Sequence, residues 1–342
     1  MPNIQGKSYT RKEILNYTGD LRQLGGISRC QLADGPGKGA EIATLRTGAG
    51  FDLTVLMDRG MDLSAASYRG IPLHWASPSG DAHPSRYNDC GLGWLRTFAG
   101  GLLTTCGLRQ TGSPCTDEGE DLGLHGRYTS LPAEKISHTE EWEGDSYVLR
   151  LSGEMREAVI FGENLLLRRE YEAVLGEPRL VLRDTVINEG SRPSPHMILY
   201  HCNFGFPLLS PSTVLTTPHR RIEPRYLDRD DPEGPCRFIE PTAGYPERVY
   251  YHEMEPDPDG VARIQLTNPD LLEGLTFQIA YRPDQLPYFT QWKMMGQRDY
   301  VCGLEPGNAR VEGRTEERKA GRLITLEPGE RRVYELEFSV KP

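Results

Sequence analysis

Four short segments carry residue types that commonly perform acid–base chemistry, and glycines stand among them. They are Met57-Asp58-Arg59-Gly60-Met61-Asp62, Gly123-Leu-His125-Gly-Arg127, Tyr200-His201-Cys-Asn203-Phe-Gly205 and Cys302-Gly-Leu-Glu305-Pro-Gly-Asn308. A histidine and a carboxylate can together give and take protons near neutral pH. A neighbouring glycine lets a ligand approach the backbone closely. The four segments are therefore candidates for residues that carry chemistry.

Each segment also has a structural interpretation. A histidine at a strand end is more commonly held by structural hydrogen bonds, which applies to His125 and His201 taken singly. Asp58 and Arg59 could form an ion pair within the fold as readily as they could bind a ligand. Trp75 could be a core residue or a flat platform for a sugar. The chemistry therefore depends on whether the fold brings these residues together.

The segments accompany stretches in which apolar and polar side chains alternate, the pattern of strands with one face exposed to water. These stretches are 41–47, 51–58, 146–155, 165–174, 179–188, 261–266, 276–281 and 331–340. Gly, Pro, Asn or Asp residues bound each of them. No strand–helix–strand alternation and no dinucleotide-binding glycine motif occurs. We therefore expect an all-β fold with strands in antiparallel succession.

Residues 1–25 are predicted to form an N-terminal extension with one short helix. Thr10 and Glu13 have the spacing of a capping box ahead of the apolar Ile14, and Gly19 follows as a stop signal. This helix is expected to be an addition to the strands.

Residues 26–342 are predicted to form a single large domain, because no low-complexity linker and no internal repeat divides them. Two long regions within it, 77–121 and 207–258, resist assignment to strands. Long loops in a compact domain are often functional, so both are candidate walls of a binding site.

Composition excludes several classes of function. The 49 acidic residues outnumber the 39 basic ones, giving a net charge of −10 without a basic block, which argues against nucleic acid or anionic membranes as partners. No apolar stretch is long enough to span a membrane or serve as a signal peptide, so we expect a cytoplasmic protein. The seven cysteines form an odd set without a CxxC pair, and we expect free thiols in a reducing compartment.

Longer motifs make the chain resemble a known family. They are Asp58-Arg-Gly-Met-Asp62, Tyr68-Arg-Gly-Ile-Pro-Leu-His-Trp75, Phe161-Gly-Glu-Asn-Leu165 and Leu199-Tyr-His-Cys-Asn-Phe-Gly-Phe-Pro-Leu208. With the order His125, His201, Glu305, they resemble the aldose 1-epimerase (galactose mutarotase-like) superfamily, most closely its domain-of-unknown-function 4432 branch. The resemblance runs from about residue 25 to 340.

The resemblance implies a galactose mutarotase-like β-supersandwich, in which large antiparallel sheets pack face to face. It also implies that Glu305 is the general base, His201 the general acid and His125 a second histidine near the ring oxygen. The aspartate that orients sugar hydroxyls in the superfamily finds no clear counterpart here. In its place we expect substrate contacts from Asp58, Arg59, Trp75, Arg127, Asn203 and Lys293.

Such a site would interconvert the anomers of a free or acidic sugar by general acid–base catalysis, without a metal or other cofactor. One alternative is that His125, His201 and Glu305, with His74 or Asp58, hold a divalent metal for a sugar or keto-sugar isomerase or C-epimerase. A second alternative is a non-catalytic sugar-binding protein, because fold resemblance alone does not establish activity. The expected partner is a small carbohydrate, and the sequence leaves a homodimer open.

Overall fold

The computed structural model describes residues 1–4, 6–228 and 231–341. Its two α-helices are α1 (Arg11–Tyr17) and α2 (Arg314–Lys319), and its single turns of 3-10 helix are Leu21–Gln23, Pro84–Arg86, Gly93–Arg96 and Tyr128–Ser130. The strands of the first half are β1 (Asn3–Ile4), β2 (Lys7–Ser8), β3 (Gly26–Gln31), β4 (Glu41–Arg46), β5 (Phe51–Leu56), β6 (Asp62–Tyr68), β7 (Ile71–Pro72), β8 (Trp75–Ala76), β9 (Gly100–Gly101), β10 (Thr104–Leu108), β11 (Cys115–Asp117), β12 (Glu120–Leu122), β13 (Glu134–Glu143), β14 (Ser146–Ala158) and β15 (Asn164–Val174). Those of the second half are β16 (Arg179–Asn188), β17 (Ser194–Gly205), β18 (Val214–Thr216), β19 (His219–Pro224), β20 (Arg248–Met254), β21 (Ala262–Asn268), β22 (Leu275–Tyr281), β23 (Tyr288–Met295), β24 (Tyr300–Gly307), β25 (Ile324–Leu326) and β26 (Arg331–Lys341).

Three antiparallel sheets contain most of these strands. The eight-stranded sheet has the order β13-β14-β15-β16-β26-β22-β21-β18, and the five-stranded sheet runs β3-β4-β5-β6-β7. The seven-stranded sheet has the order β10-β17-β24-β23-β20-β19, with β25 paired to β17. Every alternating stretch in the sequence forms one of these strands, because one face of each is buried and the other is not. The predicted all-β class with large antiparallel sheets is confirmed.

The three sheets share one apolar core. The ring of Phe277, from the eight-stranded sheet, lies 5.1 Å from that of Phe204 in the seven-stranded sheet and 6.4 Å from that of Phe51 in the five-stranded sheet. All three rings are buried. Burial of apolar area of this kind is the main favourable contribution to folding.

A buried ionic network also joins the three sheets. The guanidinium of Arg169 on β15 pairs with Asp184 on β16 at 2.7 Å and with Asp62 on β6 at 2.9 Å. It also donates to Thr105 Oγ1 on β10 at 2.9 Å. The hydroxyl of Tyr200 on β17 donates to Asp184 at 2.8 Å. The network therefore fixes the strands that carry the polar residues described below.

The N-terminal helix forms as predicted. Thr10 and Glu13 complete a reciprocal capping box, and α1 ends at Tyr17, before Gly19. Within the described residues, no helix is long and apolar enough to cross a membrane. All seven cysteines are free thiols, as the sequence predicts.

Candidate active site

A row of polar side chains crosses one face of the seven-stranded sheet. We call Thr104, His201, Glu305, Thr290 and Tyr251 the polar row. The strand register pairs Thr104 with His201, Glu305 with Thr290, and Thr290 with Tyr251. The register of β17 with β24 places His201 opposite Glu305. Directly opposed residues share a face of the sheet with their Cβ atoms ~4.5–5.5 Å apart. The histidine and the carboxylate therefore lie side by side.

Glu305 and His201 form a close pair. Glu305 Oε1 lies 3.2 Å from His201 Nε2. Both side chains are buried, with Glu305 2% and His201 5% exposed. In residues 1–4, 6–228 and 231–341, the buried Nδ1 of His201 finds no hydrogen-bond partner. The short contact through Nε2 allows the two groups to share one proton.

Burial moves the pKa values of the two groups in opposite directions. It raises the pKa of Glu305 well above its usual value, and the nearby positive charge of Arg225 opposes this only in part. It lowers the pKa of His201 to about 4. Burial disfavours a charge on either group alone, so the pair holds one shared proton near neutral pH. Glu305 becomes a stronger base, and His201 a stronger acid, than the free side chains.

His125 stands beside this pair as a neutral ring. Its centroid lies 5.7 Å from that of His201, with the two ring planes at 80°. Its φ of +58° is in the left-handed region, and its Nδ1 accepts a hydrogen bond from the Gly112 N–H at 3.3 Å. Burial, with the nearby His201, lowers the pKa of His125 well below its usual value. The ring therefore carries its proton on Nε2 and can act as a donor.

The pair lies in a cavity of about 680 Å³ whose walls are largely apolar. Trp94 stacks on Phe98 with centroids 4.3 Å apart, and Phe98 lies 5.4 Å from His201. Trp75 meets Trp292 edge to face at 6.1 Å, so this expected substrate contact does line the cavity. A cavity of this size with flat aromatic walls and a few convergent polar groups suits a small organic ligand. Its other apolar lining residues include Leu92, Leu95, Leu124, Val249, Met294 and Val311.

The charged groups of the cavity are mainly acidic. Glu247 and Asp299 line it in addition to Glu305, and Glu247 accepts a hydrogen bond from the Trp292 indole at 3.2 Å. Arg225 also lines it, but its guanidinium is paired with Glu312 at 2.8 Å. The carboxylates of the lining thus outnumber its single arginine, which is itself paired. The lining therefore favours a neutral ligand.

Gly303 leaves room for the pair. It follows Cys302 on β24, and a Cβ atom here would lie 2.6 Å from Glu305 Oε1, 3.1 Å from His201 Cε1 and 3.1 Å from the Cβ of Trp292. Any side chain would therefore push the carboxylate away from the imidazole.

Five of the six expected substrate contacts lie outside this cavity. Two of the five, Asp58 and Arg59, belong to the segment 57–62. Asp58 accepts a hydrogen bond from the backbone N–H of Glu41 at 2.7 Å. The buried guanidinium of Arg59 donates to the carbonyl oxygens of Thr97 at 2.7 Å and Thr129 at 3.0 Å. Both groups thus bind backbone atoms and neither lines this cavity. Arg59 thereby holds the loop that carries Trp94 and Phe98.

The other three are likewise engaged elsewhere. Arg127 pairs with Asp89 at 3.0 Å, and Lys293 pairs with Asp231 at 2.7 Å. The alternation along β23 directs Lys293 to the face of the sheet away from the cavity. The amide nitrogen of Asn203 donates to two backbone carbonyls, at 3.2 and 2.9 Å. None of the three lines this cavity, although the side chain of Asn203 acts on His201 by partly offsetting the lowering of its pKa.

Sequence reasoning did not single out several residues that the fold brings to the cavity. They include Thr290, Phe98, Arg225 and Glu247. Thr290 and Trp292 are two residues apart on β23. Because side chains two residues apart in a strand share a face, a strand prediction for this stretch would have placed both on the same face. Arg225 and Glu247 lie at the two ends of the loop between β19 and β20, inside the region 207–258 that the sequence marked as a candidate wall without indicating which residues line it.

A metal site in a protein needs several His, Cys, Asp or Glu side chains that converge on one point. No group of three or more His, Cys, Asp or Glu side chains in the described part of the chain is arranged to hold a metal ion. His125 and His201 have ring centroids 5.7 Å apart, and Glu305 Oε1 lies 3.2 Å from His201 Nε2.

The sequence matches a family model over most of its length. Residues 37–340 match the family described as a domain of unknown function, DUF4432. No curated protein matches the sequence.

Solved structures of similar fold carry sugar-related descriptions. A candidate aldose 1-epimerase from Klebsiella pneumoniae has a TM-score of 0.85 and 27% identity, with 92% of this chain and 83% of that chain covered. A galactose mutarotase-like protein from Clostridium acetobutylicum has a TM-score of 0.63 and 12% identity, covering 93% and 99%. A galactose 1-epimerase from Lactobacillus acidophilus has a TM-score of 0.59 and 12% identity, also covering 93% and 99%. The predicted galactose mutarotase-like fold is confirmed.

Proposed function

The chain belongs to the DUF4432 family, and we propose that it is an aldose 1-epimerase that interconverts the anomers of a neutral free sugar. The observation that carries the proposal is the buried Glu305–His201 pair, with 3.2 Å between Oε1 and Nε2, in an aromatic cavity. The hydroxyl oxygen and the ring oxygen that exchange protons in this reaction are both bonded to C1 of the sugar. A base and an acid whose reactive atoms are adjacent therefore fit the two oxygens.

The pair can perform ring opening without a change in its total number of protons. Glu305, as the carboxylate, takes the proton of the C1 hydroxyl, and His201, as the imidazolium, gives a proton to the ring oxygen. The bond between C1 and the ring oxygen breaks with its electron pair on that oxygen, and C1 becomes a carbonyl. Rotation about the C1–C2 bond and the reverse proton transfers close the ring on the other face.

The shifted pKa values support these roles. At rest the shared proton lies on Glu305, because burial raises the pKa of Glu305 and lowers that of His201. The reactive form arises when this proton passes to His201 across the 3.2 Å contact, and in that form Glu305 is a strong base and His201 a strong acid. Both shifts result from burial, which also makes electrostatic interactions with the substrate stronger than in water. The neutral His125, with a proton on Nε2, supplies a further donor beside the ring oxygen.

The cavity supports a neutral sugar over an acidic one. Its aromatic walls can pack against the C–H faces of a sugar ring, whereas Glu247 and Asp299 would repel a carboxylate. Arg59 and Arg127, which the sequence offered as partners for an acidic group, do not line the cavity.

A one-dimensional proton NMR exchange assay tests the proposal. We expect the protein to accelerate anomer exchange of at least one neutral aldose in a panel of aldoses, ketoses and uronates, with the same rate in the presence of a chelator. A rate that a chelator abolishes and a divalent ion restores would instead support a metal-assisted isomerase. Binding of a sugar in the same panel without any exchange would support a non-catalytic binding protein.

A further inference from the structure

Thr290 is a buried hydroxyl next to the proposed base. It is 1% exposed, it lines the cavity and it lies directly opposite Glu305 in the register of β23 with β24. Its Oγ1 has no hydrogen-bond partner among the described residues. A buried hydroxyl without a partner is unfavourable, so its presence at this position calls for an explanation.

Of the three neighbours Tyr251, Trp292 and Glu305, Glu305 is the acceptor that fits the Thr290 hydroxyl. Tyr251, its other neighbour in the polar row, donates its hydroxyl proton to Glu312. Trp292, two residues further along β23, offers an indole N–H, which is a donor. Glu305 has two carboxylate oxygens, of which Oε1 faces His201. A hydroxyl has a proton to donate, and an ionised carboxylate is its strongest acceptor here.

We propose that Thr290 is a positioning residue for the epimerase reaction, in which its hydroxyl donates a hydrogen bond to Glu305 whenever that carboxylate is ionised. This inference rests on the proposed function only for its effect on turnover. The opposed Cβ positions of a cross-strand pair allow the contact after a small rotation of either side chain. The hydrogen bond offsets part of the cost of a buried negative charge and so populates the form of Glu305 that accepts the C1 proton.

Other groups also act on Glu305, and the test must hold them constant. Groups that line the cavity with it are His201 on β17, His125 in the loop after β12, Arg225 after β19 and Glu247 before β20. Cys106 on β10, Cys202 on β17 and Cys302 on β24 interact with it electrostatically. Replacement of Thr290 leaves each of these groups in place. A change in the titration of Glu305 then reports on the hydroxyl itself.

Thr290→Val removes the hydroxyl and keeps the branched shape. NMR titration of the carboxyl carbon of Glu305 in the sugar-free, full-length protein should show its pKa raised by about one unit, because a hydrogen bond to a charged group is lost. In the exchange assay, kcat should fall about tenfold with an unchanged KM, and the alkaline limit of activity should move to higher pH. Thr290→Ser, which restores the hydroxyl, should recover both values.

Thr111→Val provides the matched control, because Thr111 is also a buried threonine whose hydroxyl has no partner in the described chain and it does not line the cavity. This variant should leave the Glu305 titration and kcat unchanged. An unshifted Glu305 titration in Thr290→Val would overturn the inference whether or not the protein is an epimerase. A wild-type protein that exchanges no sugar, combined with a shifted titration in Thr290→Val, would overturn the proposed function and leave the contact established.

Discussion

At the level of single residues, the chemistry depends on one shared proton. Neither Glu305 nor His201 has unusual properties as a residue type, but together in a dry site they hold a proton that either can carry. Burial opposes both the lone carboxylate and the lone imidazolium. The catalytically useful state is therefore the singly protonated pair.

Replacement of either member should remove most of the activity. Glu305→Gln and His201→Asn are each expected to lower the anomer exchange rate by ~10²–10⁴-fold, because a general base or a general acid is lost. The rates are measured by NMR exchange and folding by circular dichroism. His196→Asn is the matched control, since His196 is a buried histidine bonded to Tyr334 and to the Leu108 carbonyl, outside the cavity. A Glu305→Gln variant with wild-type exchange would contradict the assigned role.

The pH dependence should follow the two shifted groups. Below about pH 4, His201 and Glu305 are both protonated, so the base is missing and the rate falls. At high pH the pair loses its shared proton, so the acid is missing. This limit should lie well above the usual carboxyl range, because burial raises the pKa of Glu305. A kcat profile that falls off near pH 6.5 on its acidic side would contradict a buried His201.

At the level of elements, strand register makes the site. The order β10-β17-β24-β23-β20 puts one member of the polar row on each of five adjacent strands. Neighbouring strands lie ~4.8 Å apart, which is the spacing that brings side chains on one face into contact. Gly303, one alternation from Glu305 along β24, keeps the space beside the pair open. The order and register of the strands therefore determine the relative positions of the side chains in the polar row.

Filling the space at Gly303 should separate the pair. Gly303→Ala would place a methyl group 2.6 Å from Glu305 Oε1, so the carboxylate must move. Misplacement of a catalytic group by about 1 Å can lower a rate ~10²-fold, and we expect a loss of that order in the NMR exchange assay. Gly19→Ala, where a methyl group would meet nothing within 4 Å, should leave the rate unchanged. Equal rates for the two variants would show that the pair tolerates a wider separation.

At the level of the whole molecule, Arg169 holds the three sheets in a fixed relation. Its partners are Asp184 on the eight-stranded sheet, Asp62 on the five-stranded sheet and Thr105 on the seven-stranded sheet. Tyr200, bonded to Asp184, immediately precedes His201 on β17. The scaffold thus connects the buried network directly to the strand that supplies the proposed acid.

Removal of the Arg169 guanidinium should destabilise the protein strongly. Arg169→Met leaves two buried carboxylates without a counter-charge, which typically lowers the free energy of unfolding by ~3–5 kcal/mol. Arg183→Met removes an exposed arginine, paired with Glu335 on the surface, and should change it by only ~0–1 kcal/mol. Urea denaturation followed by circular dichroism measures both. Similar values for the two variants would mean that the buried network does not stabilise the fold.

The amino-acid sequence by itself determined the class of fold and supplied the candidates for the reacting groups. Alternation of apolar and polar residues is a local property, so the strands could be predicted from each stretch alone. The capping box at Thr10 and Glu13 is local for the same reason. His201 and Glu305 stood out as polar residues at the ends of strand-like runs, and His125 as a histidine between glycines, but their expected roles came from the family resemblance.

Only the tertiary structure decided which polar residues face the cavity. Arg59 and Lys293 are as polar as Arg225, yet they bind backbone carbonyls or a buried aspartate. Thr290 has no local signal at all, and it lies beside Glu305 because β23 and β24 pair in one register. Register and sheet order depend on contacts between residues far apart in the chain, where a shift by one residue would turn every side chain to the other face.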